Sequence, residues 1–494
     1  KDKHLDWEKL EGHHDEKKGE EENEEHGNDS LHVILKNAGQ IASPVPVQLM
    51  KKDSVVYTAW VDGFTGKKEI ALPKLDADHV QIDNGLVVPE INRRNNQYRL
   101  NKLAHKFEKL QFHFLVAAED QRRTQVLFAP YFGWNNYDKF QVGLAIYSPF
   151  IPKRKFNYLL VPAIGAGSKK FIGFAKINYN FFPDKVQCFT VGLNAKRFSY
   201  LLFPTALTMN KLEPYIHFDF KPKDERSPWR QSLNLRSAVI FEGVTNPIIT
   251  YADNPFIKTT QHYYVNEARY VIQHNTTLHP FYISITARQG NDFAGLWAEG
   301  NFKVSYKQRG QGLSVRLFAG GFPVYFKSSS DINAPLPALY LSTCTTPNFA
   351  YWLQKDYMFD ENFIDRNGQD KYLGRQVAMS GGGFYSLTDV GRTSKFLMAA
   401  NVSSTIYKYV PIQPFFSLGA FMNDNKKMQF AAEFGLSAVI IKDMIEIHLP
   451  LATTNNIKQN QQYLGLGKWY QKFSFTLKLK LFKPLDLIRQ VAGI

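Results

Sequence analysis

Two cysteines in 494 residues, Cys188 and Cys344, are too few for a disulfide framework, and they lack the paired spacing of a zinc site. No run approaches the roughly 18 uninterrupted apolar residues of a membrane-crossing helix. The chain has no initiator Met and no signal peptide, so it reads as mature or truncated. The GxSxG turn, the P-loop and the HExxH helix are also missing, which removes the common signatures of hydrolases, nucleotide enzymes and zinc peptidases. Apolar residues are not scarce: at 44% hydrophobic the chain can bury a core, and global disorder is excluded.

Aromatic residues and positive charge are abundant. Aromatics make up 14% of the chain, with 39 Phe and 25 Tyr. The net charge is +15, but residues 1–30 hold twelve Asp/Glu against five Lys, a local balance of −7 that leaves +22 on the rest. No stacking aromatics interleave with the basic residues, so nucleic acid is not the expected partner. A surface facing anionic lipopolysaccharide has its own use for Lys and Arg.

The acidic block 1–30 cannot bury enough surface to offset its ordering entropy and reads as a solvated tail or loop. His13, His14, Asp15, Glu25 and His26 are a loose metal-ligand set there, without fixed geometry. Residues 31–92 hold short β-rich runs (LHVILKNAG, PVPVQLM, SVVYTAWVDGF, KKEIALP) punctuated by Gly, Pro, Asn and Asp. They predict a small, immunoglobulin-like β-sandwich. Residues 93–109 are polar and basic, with Leu100, Leu103 and Phe107 at helical spacing, and read as a linker with one short helix.

From 110 to 483 the period is two. Lys176, Asn178 and Asn180 alternate with Ala175, Ile177 and Tyr179; Tyr215, His217 and Asp219 alternate with Ile216, Phe218 and Phe220. The same holds for Asn234 and Arg236 against Leu233 and Leu235, for Asn301, Lys303 and Ser305 against Phe302, Val304 and Tyr306, and for Phe473, Phe475 and Leu477 against Ser474, Thr476 and Lys478. A soluble sandwich or barrel and an outer-membrane barrel both alternate, with opposite sense. Runs of ten or more residues, aromatics at run ends (Tyr131 and Trp134, Phe181 and Phe182, Tyr263 and Tyr264, Trp469 and Tyr470), and Lys or Arg at strand centres favour the membrane barrel. The expected fold is all-β: the sandwich, then a transmembrane antiparallel barrel of 12–16 strands, an even number, with 14 the best count. Tight turns at Pro183-Asp184 and Asn423–Asn425 are assigned to the periplasmic side, and the long connections 245–260 and 327–373 to the outer face. Residues 484–494 form a tail.

Candidate chemistry is thin. Ser380-Gly381-Gly382-Gly383 lacks the Lys of a phosphate loop and reads as a kinked strand. Asp365-Arg366-Asn367-Gly368-Gln369-Asp370 lacks the register and closing Glu of a calcium loop and reads as an exposed turn. Cys188 and Cys344 read as free thiols, and His217, His262 and His448 as lumen or interface residues. His217 with Asp219 is the best start of a lumenal hydrolase site, without a motif. No catalytic, cofactor or metal residue is assigned.

Two stretches resemble a known family. Residues 33–64, VILKNAGQIASPVPVQLMKKDSVVYTAWVDGF, resemble the β-sandwich behind the catalytic domain of M1-type zinc aminopeptidases. Residues 130–179, with PYFGWNNYDKFQVGLAIYS and PKRKFNYLLVPAIGAGSKKFIGFAKINYNF, resemble the barrel that Bacteroidota fuse behind such domains. The family's zinc ligands and Gly-Ala-Met-Glu-Asn motif are not in this chain, so no catalytic residue carries over; the resemblance implies a catalytic domain upstream of Lys1 or one that has been lost, with zinc only in the first case. The resemblance implies an outer-membrane barrel that anchors or docks a peptidase-like domain, with a periplasmic sandwich and partners among lipid, lipopolysaccharide and envelope proteins. The alternatives are a channel or accessory subunit of an outer-membrane machine, and an enzyme with its site in the lumen.

Overall fold

A computed structural model describes residues 30–37, 41–88, 93, 95–100, 110–117, 123–149, 154–202, 206–246, 257–291, 293–306, 311–325, 337–344, 356–368, 370–406, 410–423, 425–441 and 444–478. The acidic cluster His13–His26 and the tail 484–494 lie outside these residues. By packing, the chain parts into two units, residues 1–128 with 148–152, and 129–147 with 153–494. Among the described residues no helix is long and apolar enough to cross a membrane.

The first unit opens with β1 (Ser30–Asn37), β2 (Val45–Lys51), β3 (Ser54–Val61), β4 (Gly66–Pro73), β5 (His79–Ile82) and β6 (Gln97–Arg99). β1 pairs with β4, and the others form one sheet in the order β3-β2-β5-β6. Val33, Leu35, Val47, Leu49, Val80 and Ile82 alternate inward and build its core. The two sheets, of two and four strands, share this core as a small β-sandwich; the immunoglobulin-like arrangement expected of it is not shown by their pairing. The expected linker 93–109 needs correcting, because Gln97–Arg99 is a strand on the edge of β5. Arg93 is buried too. It donates to Asp83 Oδ2 at 2.8 Å, while the same carboxylate accepts from the backbone N–H groups of Val87 and Val88. Asp83 sits at φ 49°, a conformation Asp tolerates, and its short side chain ties the turn together.

The barrel strands are β7 (Leu110–Phe114), β8 (Thr124–Asn135), β9 (Lys139–Tyr147), β10 (Phe156–Gly165), β11 (Lys170–Phe181), β12 (Val186–Leu202), β13 (Ala206–Phe220), β14 (Trp229–Asn246), β15 (Ile257–His274), β16 (Phe281–Gly290), β17 (Phe293–Ser305) and β18 (Gly312–Tyr325). After a long excursion come β21 (Phe396–Thr405), β22 (Ile412–Met422), β23 (Met428–Ile441), β24 (Ile445–Thr453) and β25 (Ser474–Leu477). The excursion carries the two-residue strands β19 (Thr343–Cys344) and β20 (Val377–Ala378), and the helix α1 (Asn455–Tyr463) precedes β25.

The sheet closes with 17 strands, not 14, and not an even number. Sixteen of them, β8–β18 and β21–β25, run up and down as expected. The extra one is β7, which lies parallel to β8 over Leu110–Phe114. A single parallel neighbour breaks the even count that antiparallel closure imposes. The described part of the last strand is only four residues, and the alternation expected beyond Lys478 lies outside the described residues.

Strand directions place the turn at Pro183-Asp184 and the turn after Met422 at opposite ends of the barrel, because nine strands, an odd number, and the excursion separate them. Asn423–Asn425 therefore shares an end with the long connections, a correction to its assignment beside Pro183. Of the connection expected at 245–260, β14 and β15 already take all but residues 247–256, which lie outside the described set.

The alternation behaves as read. Lys176, Asn178, Asn180, His217, Asn234 and Arg236 fall on the inward face, while Ile177, Phe218, Leu233 and Leu235 face out. The outer wall is mainly apolar, with Phe171 and Phe430 each 64% exposed, although Arg197, His262, Asn266 and Gln289 also face out.

A charge-clamped segment inside the barrel

The excursion between β18 and β21 turns back into the barrel. Leu339, Leu341, Tyr357, Met358, Phe359 and Phe384 belong to one buried cluster with the inward residues Met209, Ile240, Val265, Phe318 and Leu397. Ile457 of α1 joins the same cluster. The Asn460 side-chain oxygen accepts from Thr388 Oγ1 at 2.8 Å and from Asp389 N at 3.0 Å, which ties α1 to the inserted segment.

The register of three strands builds a row of alternating charge. Arg236 on β14 stands directly opposite Glu267 on β15, which stands directly opposite Arg288 on β16. Cross-strand pairs at this distance interact, and here Arg236 Nε reaches Glu267 Oε1 at 2.8 Å and Arg288 Nε reaches Glu267 Oε2 at 2.5 Å. Lys211 and Glu213 of β13 join at 2.6 Å. Asp360 of the inserted segment is the hub. It takes both guanidinium nitrogens of Arg236, at 3.0 and 2.8 Å, and the Lys211 ammonium at 2.7 Å. Burial alone would raise the Asp360 carboxyl, but Arg236, Lys211 and Arg288 hold it well below the usual carboxylate range.

Further contacts fix the flanks of the hub. Lys196 Nζ donates to the Phe359 carbonyl at 2.6 Å, and Tyr263 Oη to the Tyr357 carbonyl at 2.6 Å. Arg288 lies 4.7 Å over the Trp297 ring. Arg366 pairs with Asp356 at 2.9 Å and stacks 4.8 Å over Phe359.

Within the stretch expected as an exposed turn, Asp365, Arg366, Asn367 and Gly368 are buried and form a node. Asp365 accepts from Tyr137 Oη at 2.7 Å, Tyr137 Oη accepts from Asn367 N at 3.0 Å, and the Asn367 amide donates to the Tyr200 carbonyl at 2.5 Å. Burial, then the Asp365 charge, pushes the Tyr137 hydroxyl far above its ordinary range, so it stays a donor. Ser380–Gly383 is likewise not a strand. Gly381 and Gly383 take φ of 55° and 67°, and Arg316 and Asn401 hydrogen-bond the carbonyls of Gly381 and Gly382. Arg316 therefore grips a glycine turn and leaves no phosphate cradle.

The expected lone residues separate. Cys188 and Cys344 are buried free thiols. His262 points outward, and His217 keeps its 3.0 Å contact with Asp219. His448 is more interesting than expected: Nδ1 meets Ser437 Oγ at 2.7 Å, Nε2 meets Thr476 Oγ1 at 3.0 Å, and Tyr385 stacks over the ring at 3.7 Å. Glu446 approaches Nε2 at 3.9 Å. A serine, an imidazole and a carboxylate thus meet, but the histidine is fully buried and both ring nitrogens are engaged by hydroxyls, so no reacting carbonyl reaches the serine. Among the described residues no group of three His, Cys, Asp or Glu is placed to hold a metal ion.

Sequence reasoning named Arg236 but missed Lys196, Lys211, Glu213, Glu267, Arg288 and Asp360 as a set. Their signal was charge at inward positions of consecutive strands, which becomes a cluster only once the register is known.

No protein-family model and no curated protein matches the chain. Solved structures resemble it at a distance. BamA of Haemophilus ducreyi lacking POTRA domains 1–3 is 7% identical over 72% of this chain and 70% of that one, with a TM-score of 0.37. CdiB of Acinetobacter baumannii is 9% identical over 68% and 57%, at 0.33. The translocation pore of the P pilus usher PapC is 8% identical over 90% and 74%, at 0.18. Likeness this distant says nothing of activity, and the closed barrel rests on its own strand pairing.

Proposed function

We propose that the chain is an outer-membrane β-barrel whose lumen is closed by its own segment, and that it works as an anchor and docking module rather than an open channel. The mainly apolar outward wall supports the membrane reading, since lipid is the solvent that rewards exposed Phe, Leu and Ile on the strands. The single observation that favours anchor over pore is the clamp at Asp360, which fills the lumen with residues 356–395. The resemblance to barrels fused behind M1-type peptidases extends this to the positioning of a zinc-peptidase-like domain, with the sandwich on the periplasmic side and other envelope proteins as partners.

The membrane reading predicts extraction only by detergent and a folded band that shifts on gels after heating. Recovery of a detergent-free soluble monomer ends it. The peptidase reading is tested by sequencing the gene upstream of Lys1 and by zinc content and aminopeptidase turnover of the full-length product, against none from residues 1–494 alone.

A further inference from the structure

Arg236, Arg288, Arg316 and Arg366 are all ion-paired inside the barrel. Arg375 is not. It ends a 3-10 turn, Leu373–Arg375, with only 4% of its surface exposed. Its Nε donates to the Lys371 carbonyl at 2.9 Å, but Nη1 is buried with no hydrogen-bond partner, and among the described residues no carboxylate pairs with it. The guanidinium instead lies 4.4 Å over the Phe473 ring and 5.4 Å over the Tyr372 ring. A desolvated guanidinium left without a counter-ion is unfavourable, and its planar fork matches one kind of absent partner best, an oxyanion taken bidentately.

The place of Arg375 in the wall says which oxyanion. β25 pairs with β24 only from Ser474 opposite His448 to Leu477 opposite Ile445, so β24 from Leu449 to Thr453 has no β25 residue beside it. The inserted segment meets the wall there: Gln376 forms a parallel bridge with Phe475, and its amide donates to the Leu477 carbonyl at 3.1 Å. Around Arg375 the surface is aromatic and basic. Tyr372 is 61% exposed, Lys371 is exposed beside it, and the segment leading to Phe473 exposes Trp469 and Tyr470, with Lys468 over the Tyr470 ring. Aromatic rings with Lys and Arg are the composition of a lipid headgroup boundary.

We propose that Arg375, between Phe473 and Tyr372, binds the phosphate group of a membrane lipid at the gap in the wall above β25, with Lys371 adding charge. The inference rests on the membrane reading above. The free ion and the lipid share the phosphate, and the aromatic rim favours the lipid.

The test uses the full chain in nanodiscs of phosphatidylcholine alone, of phosphatidylcholine with phosphatidylglycerol, and of phosphatidylcholine with lipid A. Lipid retained after release is counted by native mass spectrometry, and the midpoint of the heat-induced gel shift is recorded. The expected result is about tenfold more retained lipid A or phosphatidylglycerol on the wild type than on Arg375→Gln, the scale of one charge-assisted pair. Arg375→Lys should fall between, and Lys185→Gln, on the turn between β11 and β12, should match the wild type. Equal retention by Arg375→Gln overturns the proposal. So does displacement of the lipid by millimolar inorganic phosphate, which would show a small-anion site. If Arg375→Gln gives no folded band, the wild type decides, and a midpoint that anionic lipid does not raise overturns the inference. A chain that never enters the discs refutes the membrane reading itself, a failure distinct from a chain that enters them without lipid preference.

Discussion

Asp360 joins three charges that the chain supplies from far apart, Lys211, Arg236 and Arg288, and its removal tests the clamp directly. Asp360→Ala leaves Arg236, Lys211 and Arg288 crowded in a dry interior with one acceptor fewer. Breaking a buried network from one side costs about 3–5 kcal/mol. The expected outcome is a lower midpoint of the heat-induced gel shift, with much of the loss recovered when Arg236→Met is added, because the stranded cation goes too. Additive losses in the double variant would show that the two residues do not share one network. Neighbouring residues on β11 test the wall in the same way. Ile177 faces out and Lys176 faces in. Ile177→Arg should cost roughly 2–4 kcal/mol if lipid lies outside, while Lys176→Gln stays within about 0.5 kcal/mol, as solvated positions do. Folding yields into liposomes in the opposite order would reverse the in–out assignment of β11.

At the level of elements, the period-two pattern showed which residues line the lumen, and this held on β11, β13, β14 and β17. It did not show the strand count, because β7, although Leu110, Phe112 and Phe114 alternate with Gln111 and His113, is short and pairs in parallel, which alternation alone does not reveal. Nor did it show that residues 365–368 are buried. A polar run normally reads as solvated, and only the closing of Tyr137 and Tyr200 over Asn367 makes it interior. The sandwich offers a pH test. Burial lowers the pKa of His79 on β5 below its ordinary 6.5, although Asp78 opposes that shift. The folded state therefore holds the neutral ring, and the unfolded chain binds the proton more readily. Stability contributed above pH 6.5 is lost as the pH falls below it. Hydrogen exchange of β5 amides in the detergent-solubilised chain should slow from pH 7 to pH 5.5 by less than base-catalysed exchange chemistry requires, an excess rate that His79→Gln should remove. An unchanged excess in His79→Gln would place the proton elsewhere.

For the whole molecule, the question is whether closing the lumen is the job or only the resting state. Seventeen strands enclose far more room than eight, whose side chains fill the interior by themselves. The extra room here is taken by the segment 356–395 and the flank of α1, seated on apolar contacts and locked by paired charges rather than by a covalent bond. Such a plug is stable only while the charges stay paired, so its failure should be electrical before it is structural. The wild-type barrel in a planar bilayer is expected to show little steady conductance. Asp360→Ala combined with Arg366→Ala removes the hub and the Asp356 pair at once, and should produce frequent, voltage-dependent openings while the heat-shifted gel band persists. High salt should open the wild type only slightly, because pairs this buried are poorly screened. A wild type that conducts steadily would mean that the inserted segment does not seal the lumen. The anchor reading would then give way to a channel.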